Sequence, residues 1–205
     1  MIYDFYAELK AWQTAIGAAI GFVALILGAL FNSHLNRRRD TRLRHEEAIG
    51  VATALYGEIV LLRRETARIG NMIAARYTSY AYQKGEAFDK HFVEDHNIPD
   101  EFIYKALADK LGLLNPNLII SIAEFYQNLQ EVRSWIPRLK NEETRGYNYS
   151  ILNVLHPARE AVTRIGPSLR EIEKMAKLQN NAETPEISKI EEVIDIEGSI
   201  WSDPD

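Results

Sequence analysis

The chain has 205 residues, 29 acidic against 24 basic side chains, a formal net charge of −5 and no cysteine. That length suits one membrane segment plus one soluble domain large enough to bury a core. The acidic balance argues against a general nucleic-acid binder, which carries a basic excess. Without cysteine there is no disulfide framework, thiolate zinc site or cysteine nucleophile.

Residues 1–11 form a short flank that holds Asp4, Glu8 and three aromatic side chains, Tyr3, Phe5 and Tyr6. Between Lys10 and Arg37 no Asp, Glu, Lys or Arg occurs, and His34 is the one titratable side chain. About 20 apolar residues cross the hydrocarbon core of a bilayer, so 12–33 suffice. Ala, Ile, Gly, Phe, Val and Leu surround the whole circumference here, whereas a core helix of a soluble protein keeps a polar face. The pattern therefore predicts a transmembrane helix over 12–33.

A secretory signal places positive charge before its apolar run and a small-residue cleavage site after it. The order is reversed here, because Arg37, Arg38, Arg39, Arg42 and Arg44 follow the run in a basic juxtamembrane segment, 34–45. The positive-inside bias predicts an uncleaved protein with its N-terminus outside and its C-terminal bulk in the cytoplasm. Tyr3, Phe5, Tyr6 and Trp12 would form an aromatic belt at the far interface. The five arginines read first as this topology signal and second as a site for anionic lipid. Gly17, Gly21, Ala24 and Gly28 recur at intervals of four, three and four. A stripe of small residues lets another helix approach closely in lipid, so a homo-oligomer is expected, although Gly and Ala are common in membrane helices in any case.

From about residue 39 to 76 an apolar seam runs through Ala48, Ala52, Leu55, Ile59, Leu62, Ile69 and Ile73, with Thr66 as its polar exception. Steps of three and four mark a bundle or coiled-coil face. Gly50, Ala54 and Gly57 form a second small-residue patch, which either meets a crossing helix or tolerates about 1 kcal/mol per glycine. Gly85 and Pro99 then mark a loop. A short helix over Asp100–Leu111 is expected next, capped by Gly112, and another over Pro116–Ile136 with Asn115 as its N-cap. It should bury Ile119, Ile122, Tyr126, Leu129 and Ile136.

The last long stretch, Tyr147–Leu178, places Ile151, Leu155, Ala158, Val162, Ile165, Leu169, Ile172 and Ala176 on one seam, kinked or divided at Pro157 and at Gly166–Pro167. No stretch of comparable length alternates as a strand would. The expected fold is all-α: an N-terminal transmembrane helix that continues into a long helix, packed in a cytoplasmic bundle over 46–178. Residues 179–205 hold eight acidic side chains against the single Lys189 and read as a disordered acidic tail. Its apolar residues, Ile194 and Trp201 among them, leave open docking on the bundle or on a partner.

Signals for chemistry are weak. There is no P-loop and no glycine-rich strand-to-helix turn. No GxSxG elbow occurs, and no histidine follows a glutamate by three residues as in di-iron bundles. DKHFVEDH offers Asp89, His91, Glu94, Asp95 and His96, but their spacing matches no established ligand pattern and reads as a solvated loop. No cofactor, metal or catalytic residue is expected. Tyr77, Tyr80 and Tyr82, near Arg76 and Lys84, either close the end of the bundle or form a partner-binding hot spot or base-stacking platform, and Ile194 and Trp201 of the tail are separate partner-binding candidates.

The run AWQTAIGAAIGFVALILGAL followed by RRRDTRLRHEEAIGVATALYGEI resembles uncharacterised bacterial single-pass inner-membrane proteins with a WQT-type N-terminal anchor. IYKALADKLGLLNPNLIISIAEFYQNLQEVR is similar to their short helix, LG-L turn and following helix, here with the pair Phe125 and Tyr126. The resemblance covers roughly 12–136 and implies a bacterial inner membrane; it implies no activity. The expected role is a non-enzymatic scaffold or interaction protein, with membrane lipid, a second copy and a protein partner as its contacts and no nucleic acid. The alternative is a small accessory or regulatory subunit of a membrane pore or transporter.

Overall fold

A computed structural model describes residues 2–80, 88, 90–140, 151–179 and 181–202. Side chains are described for all of these except 2–7, 9, 11, 14, 80, 90, 140 and 200–202. The described chain is all-α and contains no strand, as the repeating steps of three and four predict. Helix α1 (Ile2–Tyr80) is followed by α2 (Lys90–Asp95), α3 (Phe102–Ala106), a 3₁₀ turn (Ala108–Leu113), α4 (Pro116–Trp135) and a second 3₁₀ turn (Ile136–Lys140). Then come α5 (Leu152–Arg164), α6 (Gly166–Ala176) and α7 (Ser188–Ser202). The chain divides into two compact units, Met1–Glu47 and Ala48–Asp205, and α1 contributes residues to both.

Unit one is helical throughout its described length, and every described side chain from Glu8 to Glu47 is exposed. Unit two is a bundle with one hydrophobic core. All eight seam positions of α1 that it contains, Ala48, Ala52, Leu55, Ile59, Leu62, Thr66, Ile69 and Ile73, are buried. Thr66 is accommodated because its hydroxyl donates back to the Leu62 carbonyl at 2.7 Å, which satisfies it inside its own helix. Helices α4 and α5 pack along one another, and α7 packs on α5. In α4, Ile122, Tyr126 and Leu129 are buried as expected, Ile136 is buried just beyond it, and Ile119 is half-buried. Asn115 caps α4, its side chain accepting from the Asn117 N–H at 3.0 Å with Pro116 at the first helical position.

Several boundaries differ from expectation. Helix α1 runs to Tyr80, four residues past the predicted end. The short helix expected over Asp100–Leu111 is α3 followed by a 3₁₀ turn, and Gly112 lies inside that turn without a positive φ, so it is not a C-cap glycine. Pro157 lies within α5 and does not divide it; near the helix start it removes only the N–H that would reach the Asn153 carbonyl. The break falls at Ile165, and Gly166–Pro167 open α6. Lys177, in the left-handed region at φ 52°, ends α6, and the Leu178 N–H donates to the Glu173 carbonyl at 3.0 Å.

The largest correction concerns 179–205, expected to be a disordered tail. Its residues 188–202 form α7, and Ile187, Ile190, Val193 and Ile194 are buried in the core of the bundle. Their spacing of three and four puts the apolar residues on one stripe, and the acidic side chains take the solvent face.

Candidate membrane helix and polar centres of the bundle

Within unit one lies the one described helix stretch long and apolar enough to cross a membrane, with a mean hydropathy of 2.2 and none of that apolar window buried. Trp12, Ile16, Ile20, Phe22, Leu25 and Phe31 all project outward. In water each large apolar side chain left uncovered forgoes about 1.5–3 kcal/mol of burial. Gly17, Gly21 and Gly28 have nothing within 4 Å of where a Cβ would stand, and Ala24 between them is exposed. The stripe is therefore bare. Arg37, Arg38, Arg39, Arg42 and Arg44 are exposed too. Arg42 meets Glu46 at 2.8 Å one turn on, and among the described residues the other four make no ion pair.

The five residues expected to meet a partner divide differently. Ile194 is buried in the bundle's own core, and half-buried Tyr77 donates its hydroxyl to Glu197 of α7 at 2.6 Å. Both hold α7 against its own chain. Tyr82 and the side chains of Tyr80 and Trp201 lie outside the described residues. Asn71 completes the attachment of α7. Its Nδ2 donates to the Glu186 carbonyl at 2.7 Å, and its Oδ1 accepts from the N–H groups of Lys189 and Ile190 at 3.2 and 3.3 Å.

Gly70 is the close-packed glycine of the bundle: a Cβ there would stand 2.6 Å from Ile190 Cδ1 and 3.6 Å from Ala158 Cβ. Gly50 and Gly57, for which a crossing helix and a tolerated cost were both open, have nothing within 4 Å of such an atom, which favours the tolerated cost. The signal for Gly70 was its place next to Ile69 in the buried seam.

Sequence reasoning also missed the buried charges. Glu58 accepts from the Ile103 and Tyr104 N–H groups at 2.7 and 3.0 Å, so a carboxylate from α1 caps the start of α3. It also accepts from the Tyr126 hydroxyl at 2.6 Å, and burial and then this carboxylate push the Tyr126 phenol well above its usual value. The Tyr126 ring stacks on Tyr104 with centroids 4.0 Å apart. Glu101 accepts from Gln130 at 2.6 Å and pairs with Arg133 and with Lys105 at 3.1 Å. Burial alone would raise its carboxyl, but Arg133 and Lys105 outweigh burial and hold it at about 2. Arg133 also donates to the Ile98 carbonyl at 3.3 Å and to that of Pro99, which ties the 98–101 loop to α4. Glu173 joins Tyr56 at 2.9 Å, Arg170 at 2.8 Å and the Ala182 N–H at 2.7 Å. These carboxylates are saturated by donors from their own chain, which makes them fasteners between elements.

No protein-family model matches the chain, and no curated protein or solved structure matches it.

Concavities on the bundle include one apolar and one polar site among the described residues. An apolar groove of about 640 Å³ runs between α1 and the start of α3, lined by Gly57, Leu61, Leu62, Pro99, Phe102 and Ile103, with Leu61 65% and Phe102 74% exposed. A polar cavity of about 580 Å³ is lined by Val60, Arg63, Arg64, Gln179, Asn181 and Glu183 together with Ala182 and Pro185. The DKHFVEDH stretch forms no centre among the described residues, where no three His, Cys, Asp or Glu side chains converge. Asp89 lies outside them, His91 is exposed, and the Nδ1 of His96 lies 2.7 Å from the Phe92 carbonyl with its ring stacked on Phe92.

Proposed function

We propose that this chain is a membrane-anchored helical scaffold that self-associates and presents its bundle to a partner protein on the cytoplasmic side. The observation that carries the reading is the bare apolar helix: its hydropathy is that of a membrane span, and the fold covers none of it. Lipid is the solvent that removes this cost. The five arginines after the span favour an N-terminus outside and a cytoplasmic bundle, and the WQT-type resemblance favours a bacterial inner membrane. Gly17, Gly21, Ala24 and Gly28 offer a face on which a second copy can pack backbone to backbone. Buried carboxylates already taken up by donors of their own chain favour a binding role over a catalytic one.

The test is made on native membranes. The chain should resist alkaline extraction and dissolve in detergent, and in-membrane crosslinking should give a ladder of homo-oligomers that Gly21→Leu with Gly28→Leu reduces several-fold. Recovery of the full chain in the aqueous fraction without detergent overturns the anchor. A crosslinked product containing a different membrane protein, with no homo-oligomer, replaces self-association by the accessory-subunit reading.

A further inference from the structure

Arg63 is 3% exposed, and among the described residues no carboxylate pairs with it. Its Nε donates to the Val162 carbonyl at 2.7 Å, in the last turn of α5. A helix C-terminus offers about half a negative charge, so this contact offsets the cation only in part. The outer nitrogens make two long contacts, both 3.4 Å, to the Glu183 carbonyl and the Thr184 hydroxyl. A guanidinium has five N–H donors in a planar fork, and at least two of them remain for a ligand. Burial, and then the neighbouring Arg170, push the group below its usual value, as expected of a cation short of counter-charge. Arg170 is itself neutralised by Glu173.

The cavity that Arg63 lines also receives Arg64, exposed and without a hydrogen bond or ion pair among the described residues. Gln179 and Asn181 add amide donors at its edge. The opposite wall is fixed in place, because Ala182 is held through its N–H by Glu173 and through its carbonyl by Arg170 at 2.8 Å. Two cations against the single carboxylate of Glu183 leave a net charge of +1, from the residues that line the cavity (2 − 1). That balance suits one phosphate group and disfavours a polyphosphate. The volume lies within the roughly 300–1,000 Å³ usual for small-molecule sites, and Val60 and Pro185 supply apolar surface for an organic remainder.

We propose that the cavity lined by α1, Gln179, residues 181–183 and Pro185 binds a phosphomonoester group, with Arg63 and Arg64 as its cationic ligands. Arginine forks recognise phosphate in two-pronged fashion, which matches the donors of Arg63 left without a strong partner. The group can belong to a free phosphorylated metabolite or to a phosphatidic acid head group. The site is independent of the self-association proposed above.

The test uses the full chain in phosphatidylcholine nanodiscs, titrated with glycerol 3-phosphate, and a second set of nanodiscs that contain phosphatidic acid. Arg64→Gln is the primary variant, because its exposed side chain is not part of the core; Arg68→Gln, outside the cavity, is the control. Saturable binding of glycerol 3-phosphate that Arg64→Gln weakens roughly tenfold or more, and Arg68→Gln leaves intact, establishes the site and a soluble ligand. An Arg64-dependent response in the phosphatidic acid discs alone establishes the site and a lipid ligand. Binding in neither arm, or binding unchanged in Arg64→Gln, overturns the proposal. Arg63→Lys, which keeps the charge but loses the fork, should weaken binding while the circular dichroism spectrum stays that of the parent.

Discussion

The stretches of α1 before and after Glu47 are equally helical and equally supplied with glycine, yet every described side chain of the first is exposed while the second buries a full seam. The glycines show the difference most directly. Gly17, Gly21 and Gly28 face open space, whereas Gly70 admits Ile190 to within 2.6 Å of a would-be Cβ. Helicity and residue size are thus shared, and what separates the stretches is the polar face: Arg64 and Arg68 stand opposite the seam in the second, and nothing charged stands anywhere in 12–33 of the first.

The strongest way to break this comparison is to cut the same volume from both stretches. Leu55→Ala or Ile59→Ala should destabilise the bundle by about 2–5 kcal/mol, read from denaturant unfolding in detergent. Ile20→Ala and Leu25→Ala should leave that midpoint in place. A loss of bundle stability from the second pair would show that the apolar helix is covered by its own protein.

Acid should next discriminate between the bundle, which holds Glu101, and the apolar stretch 12–33, which holds no carboxylate. Glu101 has a folded pKa of about 2, below its unfolded value of 4.5, so its contribution is fully present above pH 4.5 and is lost as pH falls toward 2. The shift corresponds to about 3 kcal/mol at most. Arg133→Met should abolish most of this acid dependence, and an unchanged pH profile would remove Arg133 as its cause.

A glycine pair gives a smaller and opposite-signed contrast. Gly70→Val should cost about 1–3 kcal/mol by overpacking against Ile190 and should speed hydrogen exchange in α7. Gly50→Ala, with open space around it, should instead stabilise by about 0.5–1 kcal/mol. Equal effects would erase the distinction between packed and bare glycines. Smallest of all, Arg42→Ala removes a surface pair with Glu46 and should leave the unfolding midpoint unchanged.

Much of the architecture is legible from residue spacing. The α1 seam, the Asn115–Pro116 start of α4 and the single seam shared by α5 and α6 are local signals, because a periodicity of three and four states which face is covered whatever covers it. The buried charges carry no such mark. Glu58 meets Tyr126, and Arg63 meets Val162 and Thr184, across 68 to 121 residues of chain, and a glutamate or arginine on a helix reads as solvent-facing until its partner is known. Helix α7 was hidden by net charge: eight acidic side chains outweighed a four-residue apolar stripe in the compositional reading, although the stripe decides the packing. Gly70 borders the seam through Ile69, but spacing does not give the position of Ile190, which makes its packing close while Gly50 and Gly57 stay open.

The hold of Asn71 on α7 has a bearing on the order of folding. The first free N–H groups of that C-terminal helix are satisfied by an amide presented more than a hundred residues earlier, so the helix acquires its starting point from a surface that must already exist. The seating of α7 therefore depends on the face of α1 that carries Asn71, and it reports whether that face is intact.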